Sequence, residues 1–365
     1  MNILHTEWSN DLGGQEKRVL YEADGLNKRG FNCIIACREK GKINVEAEKL
    51  GIKTYKLPFK SFHDLFTISK LLRIIKKEKI DIVNTHSGID SWVGSIACKL
   101  AKSPVLVRTR HINIALKKNF LNFVHYLPAM YITCGENIRH NLINKCGFSA
   151  DNVISIPTGI SSEFFCNHSE EDIIKTQKAL NLTEREIVIS NVGILRGVKG
   201  HDIFLKAARI VLNSFSNTKF LLVGDGPKRK RLEELAKELD ITDNVIFTGY
   251  INDIRGIYSI SDITVLSSRS EGVPQSVLQA MACSVPVVAA RVGGVPEIIE
   301  NEKTGILVEP EDPQDLASGI MRLINNYPFR EDISTRAKAY VIENHSMSIM
   351  LDKIEGLYKH LLNNK

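Results

Sequence analysis

The sequence lacks several features that would place it in other classes of protein. It contains no apolar run near the roughly 18 residues that a membrane-spanning helix needs, and its first residues, "MNILHTEWSNDLGG", have neither a basic lead nor the apolar segment of a secretion signal. Its seven cysteines include no Cys-x-x-Cys pair, which favours reduced thiols in the cytoplasm. The Gly-x-Gly-x-x-Gly fingerprint of nicotinamide-binding domains is also missing. These absences predict a cytoplasmic globular protein that does not cross a membrane.

The net charge of +6 is unevenly distributed. Residues 1–165 carry 24 Lys and Arg against 15 Asp and Glu, whereas residues 166–365 carry 24 against 27. A basic first half is typical of a region that meets something anionic, and a solvated lysine-rich surface gives the same count. Charge alone leaves both interpretations open.

Short apolar and β-branched runs alternate with helix-like segments along the whole chain. Such runs predict parallel sheets that are covered by helices on both faces. Twelve strands are many for one sheet, so two βαβ systems of about six strands each fit better, joined within 156–173. The predicted strands are 2–4, 33–37, 81–85, 105–109, 131–134, 153–157, 186–193, 219–224, 244–249, 262–268, 286–290 and 305–309.

Ligands of doubly wound sheets bind at the carboxyl ends of strands, close to helix N-termini. The loop after the first strand contains Gly13 and Gly14, whose uncovered N–H groups suit close approach of a phosphate, although a tight turn has the same sequence. In the second half, "NVGILRGVKG" places Arg196 and Lys199 between a strand and a helix. Two cations at that place can clamp a diphosphate or can simply be solvated.

The series GGQE, VGILRGVKG, LLVGDGP, FTGY, SEGVPQSVLQAMA, PVVAARVGGVPEII and TGILVEPEDPQDLA resembles, in order and over nearly the whole chain, the retaining family 4 glycosyltransferases. The resemblance implies the GT-B fold of the α/β class, with two Rossmann-like doubly wound domains facing across a cleft. It implies an acceptor-binding domain at 1–165 and a nucleotide-sugar-binding domain at 166–340. Residues 341–365 would form a C-terminal helix that crosses back to the first domain, since 348–362 carries an apolar stripe at helical spacing.

The resemblance also assigns the donor site. In this family a Glu-x7-Glu pattern opens the loop and helix that hold the nucleotide sugar, and here Glu271 and Gln279 occupy its two positions. Glu271 is expected at the hydroxyls of the donor sugar and Gln279 at those of the ribose, where an amide can both donate and accept. The other predicted donor contacts, around the helix start and the base, are Gly13, Gly14, Gly249, Tyr250, Gly272, Val273, Gln275 and Ser276.

Three positions depart from the family pattern. Gln279 replaces a carboxylate, and Pro274 stands at a usual glycine position, where it removes one N–H donor. Ile194 occupies the place of a common arginine, and Arg196 follows two positions later. We expect Arg196 to supply the same guanidinium, with Lys199 as the better-defined cation.

The resemblance implies a front-face reaction in which the leaving phosphate takes the proton of the acceptor. Electrostatic stabilisation by Arg196 and Lys199 would then be the main contribution of the protein. A double displacement needs a positioned carboxylate nucleophile, and it stays open although no motif marks a carboxylate pair. The absence of an Asp-x-Asp motif at a strand end predicts that neither a metal nor another cofactor is required.

Two histidines follow successive strands of the first half. The resemblance places His86 where the family has a histidine near the reacting sugar, so His86 is predicted to bond a sugar hydroxyl or to orient the acceptor. His111 is the second candidate, as an acceptor contact. A lone histidine is more often structural, but two at neighbouring strand ends favour a shared site.

Two segments of the basic half have the composition of a lipid-facing surface. Residues 115–128 place Lys117 and Lys118 beside aromatic residues, which is compatible with interfacial contact and with core packing. For 62–80 we favour an ordinary crossover helix with a solvated lysine face. The predicted acceptor is a saccharide, lipid-linked, in bacterial envelope polysaccharide or lipopolysaccharide synthesis at the inner face of the cytoplasmic membrane; no nucleic acid is expected as a partner.

Two other functions fit parts of the pattern. A GT-B sugar-nucleotide epimerase would need carboxylate acid and base residues in the cleft, and no motif marks them. A non-catalytic GT-B subunit that supports a partner transferase is consistent with Gln279 and Ile194. The retention of His86, Lys199 and Glu271 favours an active transferase.

Overall fold

The computed structural model describes residues 1–102, 104–116, 120–166 and 169–364, and its chain divides into two compact units. The first unit comprises Met1–Gly159 with Met347–Lys365, and the second comprises Ile160–Ser346. The divisions therefore fall at 159/160 and 346/347 rather than at the predicted 165/166 and 340/341. The reason is a local pairing: the N–H of Ile160 donates to the carbonyl of His345 at 2.7 Å, and the Ile160 side chain is buried in the second core.

The described strands of the first unit form one parallel sheet. They are β1 (Asn2–Glu7), β2 (Asn32–Arg38), β3 (Lys53–Leu57), β4 (Ile82–Thr85), β5 (Val105–Arg110), β6 (Met130–Thr133) and β7 (Val153–Ser155). Their order is β3-β2-β1-β4-β5-β6-β7, so the switch point lies between β1 and β4. The helices among them are α1 (Gly14–Lys28), α2 (Ile43–Lys49), α3 (Leu65–Lys77), α4 (Ile89–Ala101) and α5 (Glu136–His140).

Helices cover both faces of this sheet. Ile3 of β1 belongs to the apolar cluster that contains Val19 of α1, whereas its neighbour Leu4 belongs to the cluster that contains Leu71 of α3. Because successive side chains of a strand point to opposite faces, α1 and α3 lie on opposite sides of the sheet. The near-continuous apolar strands of the sequence follow from this double burial.

Strand β3 has no counterpart among the predicted strands. Its sequence, "KTYKL", is buried fully only at Leu57, because β3 is an edge strand. An edge strand needs no continuous apolar face, and lysines are common there because they discourage pairing with other chains. The other twelve described strands coincide with the predicted runs.

The second unit is also a parallel sheet with helices. Its described strands are β8 (Ile187–Val192), β9 (Thr218–Val223), β10 (Val245–Gly249), β11 (Ile263–Leu266), β12 (Val287–Ala290) and β13 (Ile306–Val308). Its helices are α6 (Glu170–Ala179), α7 (His201–Leu212), α8 (Arg229–Glu238), α9 (Arg255–Ile260), α10 (Gln275–Ala282), α11 (Pro313–Asn325) and α12 (Tyr327–His345). The strand order is β10-β9-β8-β11-β12-β13, which puts the switch point between β8 and β11.

Two Rossmann-like units confirm the predicted α/β class. Among the described residues, short 3-10 turns occur at Phe120–Tyr126, Ala150–Asn152, Ser162–Phe165, Gly197–Lys199, Thr242–Asn244 and Val295–Glu297, with a π turn at Asn141–Lys145. None of the helices in the described ranges has the length and hydropathy that crossing a bilayer requires.

The last helix, α13 (Met347–Asn363), is part of the first unit. Its stripe of Met350, Leu351, Ile354 and Tyr358 is buried in the cluster that also contains α1. A Cβ placed on Gly25 of α1 would come within 2.4 Å of the Leu351 side chain, so the two helices are in close contact. Burial of this stripe gives the physical reason for its helical spacing.

Candidate active site

A lysine and a glutamate meet at the switch point of the second sheet. Lys199 ends the loop after β8, and Glu271 lies in the loop after the neighbouring strand β11. Lys199 Nζ donates to Glu271 Oε1 at 2.7 Å, and the hydroxyl of Ser268 donates to the same oxygen. The side chains remain 27% and 10% exposed, respectively, so the pair borders solvent. The structure thus joins two of the predicted catalytic residues, which are 72 positions apart in the sequence.

Glycines allow the loops around this pair to approach one another. Gly200 has a φ of +63°, and a Cβ there would lie 1.9 Å from the carbonyl oxygen of Ser267. Gly293 has a φ of +51°, and a Cβ there would lie 1.9 Å from the carbonyl oxygen of Glu271. Only glycine fits either place, because both the backbone conformation and the space exclude a side chain. The loops after β8, β11 and β12 therefore pack main chain against main chain.

Helix α10 follows the Glu271 loop. Val277, Leu278 and Met281 are fully buried and anchor it to the core. Its first turn begins after the N-cap Pro274, which makes no side-chain capping hydrogen bond. The partly exposed Gln275, Ser276 and Gln279 lie on the other side of the helix, and Gly272 and Val273 in the preceding loop are also partly exposed. The first-turn N–H groups of α10 are thus suited to bind an anion or a sugar oxygen.

Arg196 lies in different surroundings from Lys199. It is exposed and lines a cavity of ≈ 510 Å³ together with Lys206 of α7 and Lys228, just before α8. The described residues around this cavity include neither Lys199 nor Glu271. That Arg196 supplies the guanidinium beside Lys199 therefore stays a prediction.

Arg269 holds two of the site loops together, and it is not among the residues predicted from the sequence. Its guanidinium forms two hydrogen bonds with Asp202 of α7, at 2.9 and 2.8 Å, and one with the carbonyl of Gly197. These bonds lower the pKa of the Asp202 carboxyl. The sequence contains only a weak signal for this role of Arg269. Arg269 is a charged residue that directly follows the buried pair Ser267 and Ser268 at a strand end.

The predicted base contacts lie at the end of β10. Gly249 has a φ of +72°, and its carbonyl accepts from the N–H of Gly224 at 2.9 Å. The side chain of Tyr250 is 71% exposed. An exposed aromatic ring after a strand end offers a surface for stacking.

In the first unit, Gly13 and Gly14 precede and open α1, as predicted. The N–H of Gly13 donates to the carboxylate of Glu16 at 2.7 Å, so it is already used within the helix start. This corrects the expectation that Gly13 presents a free donor to a phosphate. Gly14 is exposed, and a Cβ there would have no neighbour within 4 Å.

Glu7, at the end of β1, is a buried carboxyl that the sequence did not single out. It accepts from the N–H groups of Trp8 and Ser9 and from the side chains of Gln15 and Ser87. Burial, and then the nearby carboxyl of Asp90, raise the pKa of Glu7 to about 8, against the effect of these hydrogen bonds. The sequence signal that could have identified Glu7 is an acidic residue at the end of an apolar strand.

His86 and His111 lie at neighbouring strand ends, after β4 and β5, as predicted. His86 is only 2% exposed, and its ring nitrogens lie 3.0 Å from Nδ1 of His5 and 3.1 Å from Nε2 of His111. This corrects the prediction that His86 bonds a sugar hydroxyl, because both of its nitrogens have protein partners. His111 is partly exposed, in contrast to the enclosed His86.

An apolar surface patch joins the two segments that the sequence proposed as lipid-facing. Phe62 contacts Trp92 edge-on, and Trp92 contacts Phe123, each with ring centroids 5.8 Å apart. The body of α3 is a crossover helix, as favoured, but its first residues Leu65 and Phe66 are 76% and 59% exposed. Lys117 and Lys118, the predicted cations of the other segment, lie outside the described residues.

No group of three or more His, Cys, Asp or Glu side chains in the described part of the chain has the geometry to hold a metal ion.

Two family models match the chain. The model described as Glycosyltransferase Family 4 matches residues 12–164, and that described as Glycosyl transferases group 1 matches residues 172–340. The chain is 25% identical to the UDP-Gal:α-D-GlcNAc-diphosphoundecaprenol α-1,3-galactosyltransferase of Escherichia coli. The alignment has 383 positions and covers 100% of this chain and 98% of the other protein. It is 28% identical to the N-acetyl-α-D-glucosaminyl L-malate synthase of Bacillus anthracis, over 309 residues that cover 82% of this chain and 80% of that one.

Solved structures share the fold. The Anabaena protein Alr3699/HepE in complex with UDP-glucose has a TM-score of 0.85 at 22% identity, and the match covers 99% of this chain and 100% of that one. A glycosyltransferase from Rickettsia africae has a TM-score of 0.89 at 22% identity, over 100% of this chain and 99% of the other.

Proposed function

The chain belongs to the glycosyltransferases of group 1 and family 4, and on that premise we propose that it moves a sugar from a nucleotide-sugar donor to a saccharide acceptor with retention of configuration. The observation that carries the proposal is the contact of Lys199 with Glu271 at the switch point of the second sheet. Similar proteins support the donor class: HepE binds UDP-glucose, and the E. coli relative uses UDP-Gal.

The pair supplies the two charges that the reaction needs. The Lys199 ammonium neutralises the diphosphate that leaves, and the Glu271 carboxylate accepts hydrogen bonds from the hydroxyls of the sugar that moves. The uncapped N–H groups of α10 add positive potential at the same place. We assign the ribose to Gln279 and the base to the surface around Gly249 and Tyr250.

The proposed mechanism is a front-face substitution. The bond from the anomeric carbon to the diphosphate breaks, the acceptor oxygen bonds to that carbon from the same side, and the leaving phosphate takes the acceptor proton. Lys199 stabilises the leaving group throughout, so we propose that no divalent metal is needed. A chelator should then leave the transfer rate unchanged, and rescue of chelated enzyme by manganese would contradict this point.

We propose a lipid-linked saccharide as the acceptor. The E. coli relative acts on a GlcNAc-diphosphoundecaprenol, and a Staphylococcus aureus relative, 27% identical, is a capsular polysaccharide biosynthesis glycosyltransferase. The apolar patch of Phe62, Leu65, Phe66 and Phe123 on the basic first unit supports contact with an anionic membrane at the inner leaflet. Binding to vesicles that contain phosphatidylglycerol should weaken when Leu65 and Phe66 are both replaced by Ser, and Val45→Ser, at another exposed apolar site, should have no effect.

A non-catalytic partner subunit is the second candidate, because Ile194 stands at a position where the family has arginine and Arg196 lines another cavity. One experiment separates the two functions. A thermal-shift screen over UDP, GDP, ADP and their sugars identifies the donor, since a ligand at 100 times its Kd adds about 2.7 kcal/mol to stability. Transfer is then measured with that donor and polyprenyl-diphosphate-linked GlcNAc.

Transfer, or slow donor hydrolysis, supports the enzyme. Donor binding without either reaction supports the subunit, and no stabilisation by any nucleotide overturns the donor assignment.

A further inference from the structure

Three imidazoles and a thiol form a line along the carboxyl edge of the first sheet. His5 lies in β1, and His86, His111 and Cys134 directly follow β4, β5 and β6, so the four residues come from four neighbouring strands. Nδ1 of His5 lies 3.0 Å from Nε2 of His86, and Nδ1 of His86 lies 3.1 Å from Nε2 of His111. Nδ1 of His111 lies 3.4 Å from Sγ of Cys134. We call these four residues the histidine row.

The contacts of the row allow only two arrangements of its hydrogens. Burial lowers the pKa of all three histidines, so each imidazole is neutral and carries one N–H. Each nitrogen–nitrogen contact needs a single hydrogen between its two atoms. Either every ring carries its hydrogen on Nδ1 and donates toward Cys134, or every ring carries it on Nε2 and donates toward His5. The three rings are therefore expected to change tautomer together.

Both ends of the row favour the second arrangement. Nε2 of His5 lies 4.0 Å from the carboxylate of Glu22, which attracts an N–H there and repels a lone pair. At the other end, Arg18 donates to Sγ of Cys134 at 3.5 Å, so the thiol hydrogen is available to His111. Glu22 is itself fixed, because the hydroxyl of Tyr358 in α13 donates to its Oε1 at 3.0 Å.

We propose that Glu22, His5 and His86 are positioning residues that hold His111 as the Nε2–H tautomer, so that Nδ1 of His111 is an acceptor for a sugar hydroxyl. The inference rests on the proposed glycosyl transfer. A thiol is a weak hydrogen-bond donor, and a hydroxyl is a stronger one. His111 and Cys134 are both partly exposed, so a hydroxyl can displace the thiol from Nδ1. The hydroxyl keeps its hydrogen, and no covalent bond changes.

The tautomers are measured directly in the full-length protein labelled with ¹⁵N-histidine, by long-range ¹H–¹⁵N correlation. Wild type should show Nε2–H for His5, His86 and His111. Glu22→Gln should put Nδ1–H on all three rings in at least part of the molecules, because the neutral amide no longer attracts an N–H to Nε2 of His5. Asp24→Asn removes the same charge from the same helix without touching the row and should change none. His201, in the second unit, serves as an internal reference.

Nδ1–H on any of the three histidines in the wild type overturns the proposal, and so does a Glu22→Gln protein whose tautomers are unchanged. If Glu22→Gln does not fold, Cys134→Ala decides the question at the other end of the row. It should keep Nε2–H on all three rings, since Glu22 remains, and Nδ1–H on His111 in that variant would contradict the assignment.

Activity gives a separate readout. Glu22→Gln should lower kcat of transfer by roughly tenfold or more while the affinity for the nucleotide stays unchanged, because Nδ1 of His111 would then present a hydrogen instead of a lone pair. If Glu22→Gln instead lowered the free energy of unfolding and the nucleotide affinity together with kcat, the role of Glu22 would be merely structural. If the wild type has no transfer activity, the proposed function is refuted. The tautomer measurement needs no activity, so it tests the hydrogen arrangement of the histidine row independently.

Discussion

The two sheets share one order for six strands, to which the first sheet adds β7, but their carboxyl edges differ. At the first edge, buried and partly exposed polar side chains bond to one another: examples are the histidine row, Glu7 with Ser87, and Asp90 with Thr6. At the second edge, loops pack main chain against main chain at Gly200 and Gly293, and the charged pair of Lys199 and Glu271 borders solvent. The same doubly wound fold therefore carries a network of side chains at one carboxyl edge and a site built from packed main chain at the other.

The difference in burial decides what each edge can bind. Burial suppresses charge, as the lowered pKa values of the three histidines and the raised pKa of Glu7 show, so the first edge presents neutral hydrogen-bonding groups. Neutral donors and acceptors suit hydroxyls. The second edge keeps an ammonium and the first turn of α10 near solvent, which suit a diphosphate. This division matches a saccharide for the first unit and a nucleotide sugar for the second.

Removal of α13 should have the largest effect, and it should strike the first unit alone. A chain that ends at Ser346 loses the buried Met350, Leu351, Ile354 and Tyr358 from the first core. At about 1.5–3 kcal/mol for each side chain, the loss is comparable with the whole stability of a domain. Limited proteolysis should digest the first unit and leave a fragment near 160–346. A protected first unit would contradict the packing of α13 on α1.

Loss of either charge at the second edge should nearly abolish transfer. Lys199→Ala and Glu271→Ala should each lower kcat by about 10²–10³, or 2.7–4 kcal/mol, since each removes one preorganised contact with the transition state. The control Arg322→Ala removes a cation from an exposed pair with Glu302 in the same unit. The transfer rate of Arg322→Ala should equal that of the wild type. Near-normal turnover in both site variants would refute the assignment of the pair.

Added methyl groups should distinguish the two edges. Gly293→Ala places a Cβ against the carbonyl of Glu271 and at an unfavourable φ, so it should displace the Glu271 loop and weaken nucleotide binding. Gly88→Ala, at the first edge, meets only the Phe62 ring, at 3.9 Å, and should bind the nucleotide normally. Calorimetric titration with the nucleotide found by the screen measures both. Equal binding by the two variants would show that the loops do not depend on main-chain contact.

The buried carboxyl of Glu7 should make the stability of the first unit fall as the pH rises. Its pKa is about 8 in the folded protein against 4.5 ordinarily, so between these values the folded state binds more protons than the unfolded state. Stability therefore decreases from about pH 4.5 to pH 8 and levels off above. Glu7→Gln should remove this decline in the first-unit melting transition, followed by calorimetry, and the exposed Glu48→Gln should retain it. A slope that survives in Glu7→Gln would place the titration elsewhere.

The smallest effect is expected at the ribose. Gln279→Glu should keep transfer within about tenfold of wild type, since both groups accept hydrogen bonds from ribose hydroxyls and tenfold is only about 1.4 kcal/mol. The variant is compared with wild type at saturating donor. If it were folded and inactive, the pocket would depend on the amide, and the alignment of α10 with the family helix would be wrong.

The second edge could be predicted because its information is local. Lys199 and Glu271 each belong to a short motif next to an apolar run, and neighbouring parallel strands must bring such loops together. The first edge could not. His5, His86, His111 and Cys134 belong to four separate segments, and nothing in any one of them shows which histidine is enclosed. The cavity that Arg196 lines was also beyond the motif, because it depends on how its loop meets α7 and α8.

The sequence by itself determined the class of fold, the positions of twelve strands along the chain and the family, because burial on both faces of a parallel sheet forces apolar runs and because tight loops force glycine. Only the tertiary structure decided which polar side chains lose their contact with water. That choice enclosed His86, left His111 partly exposed and raised the pKa of Glu7. The cause is physical: desolvation depends on every neighbour in space, and most of those neighbours are distant in the chain.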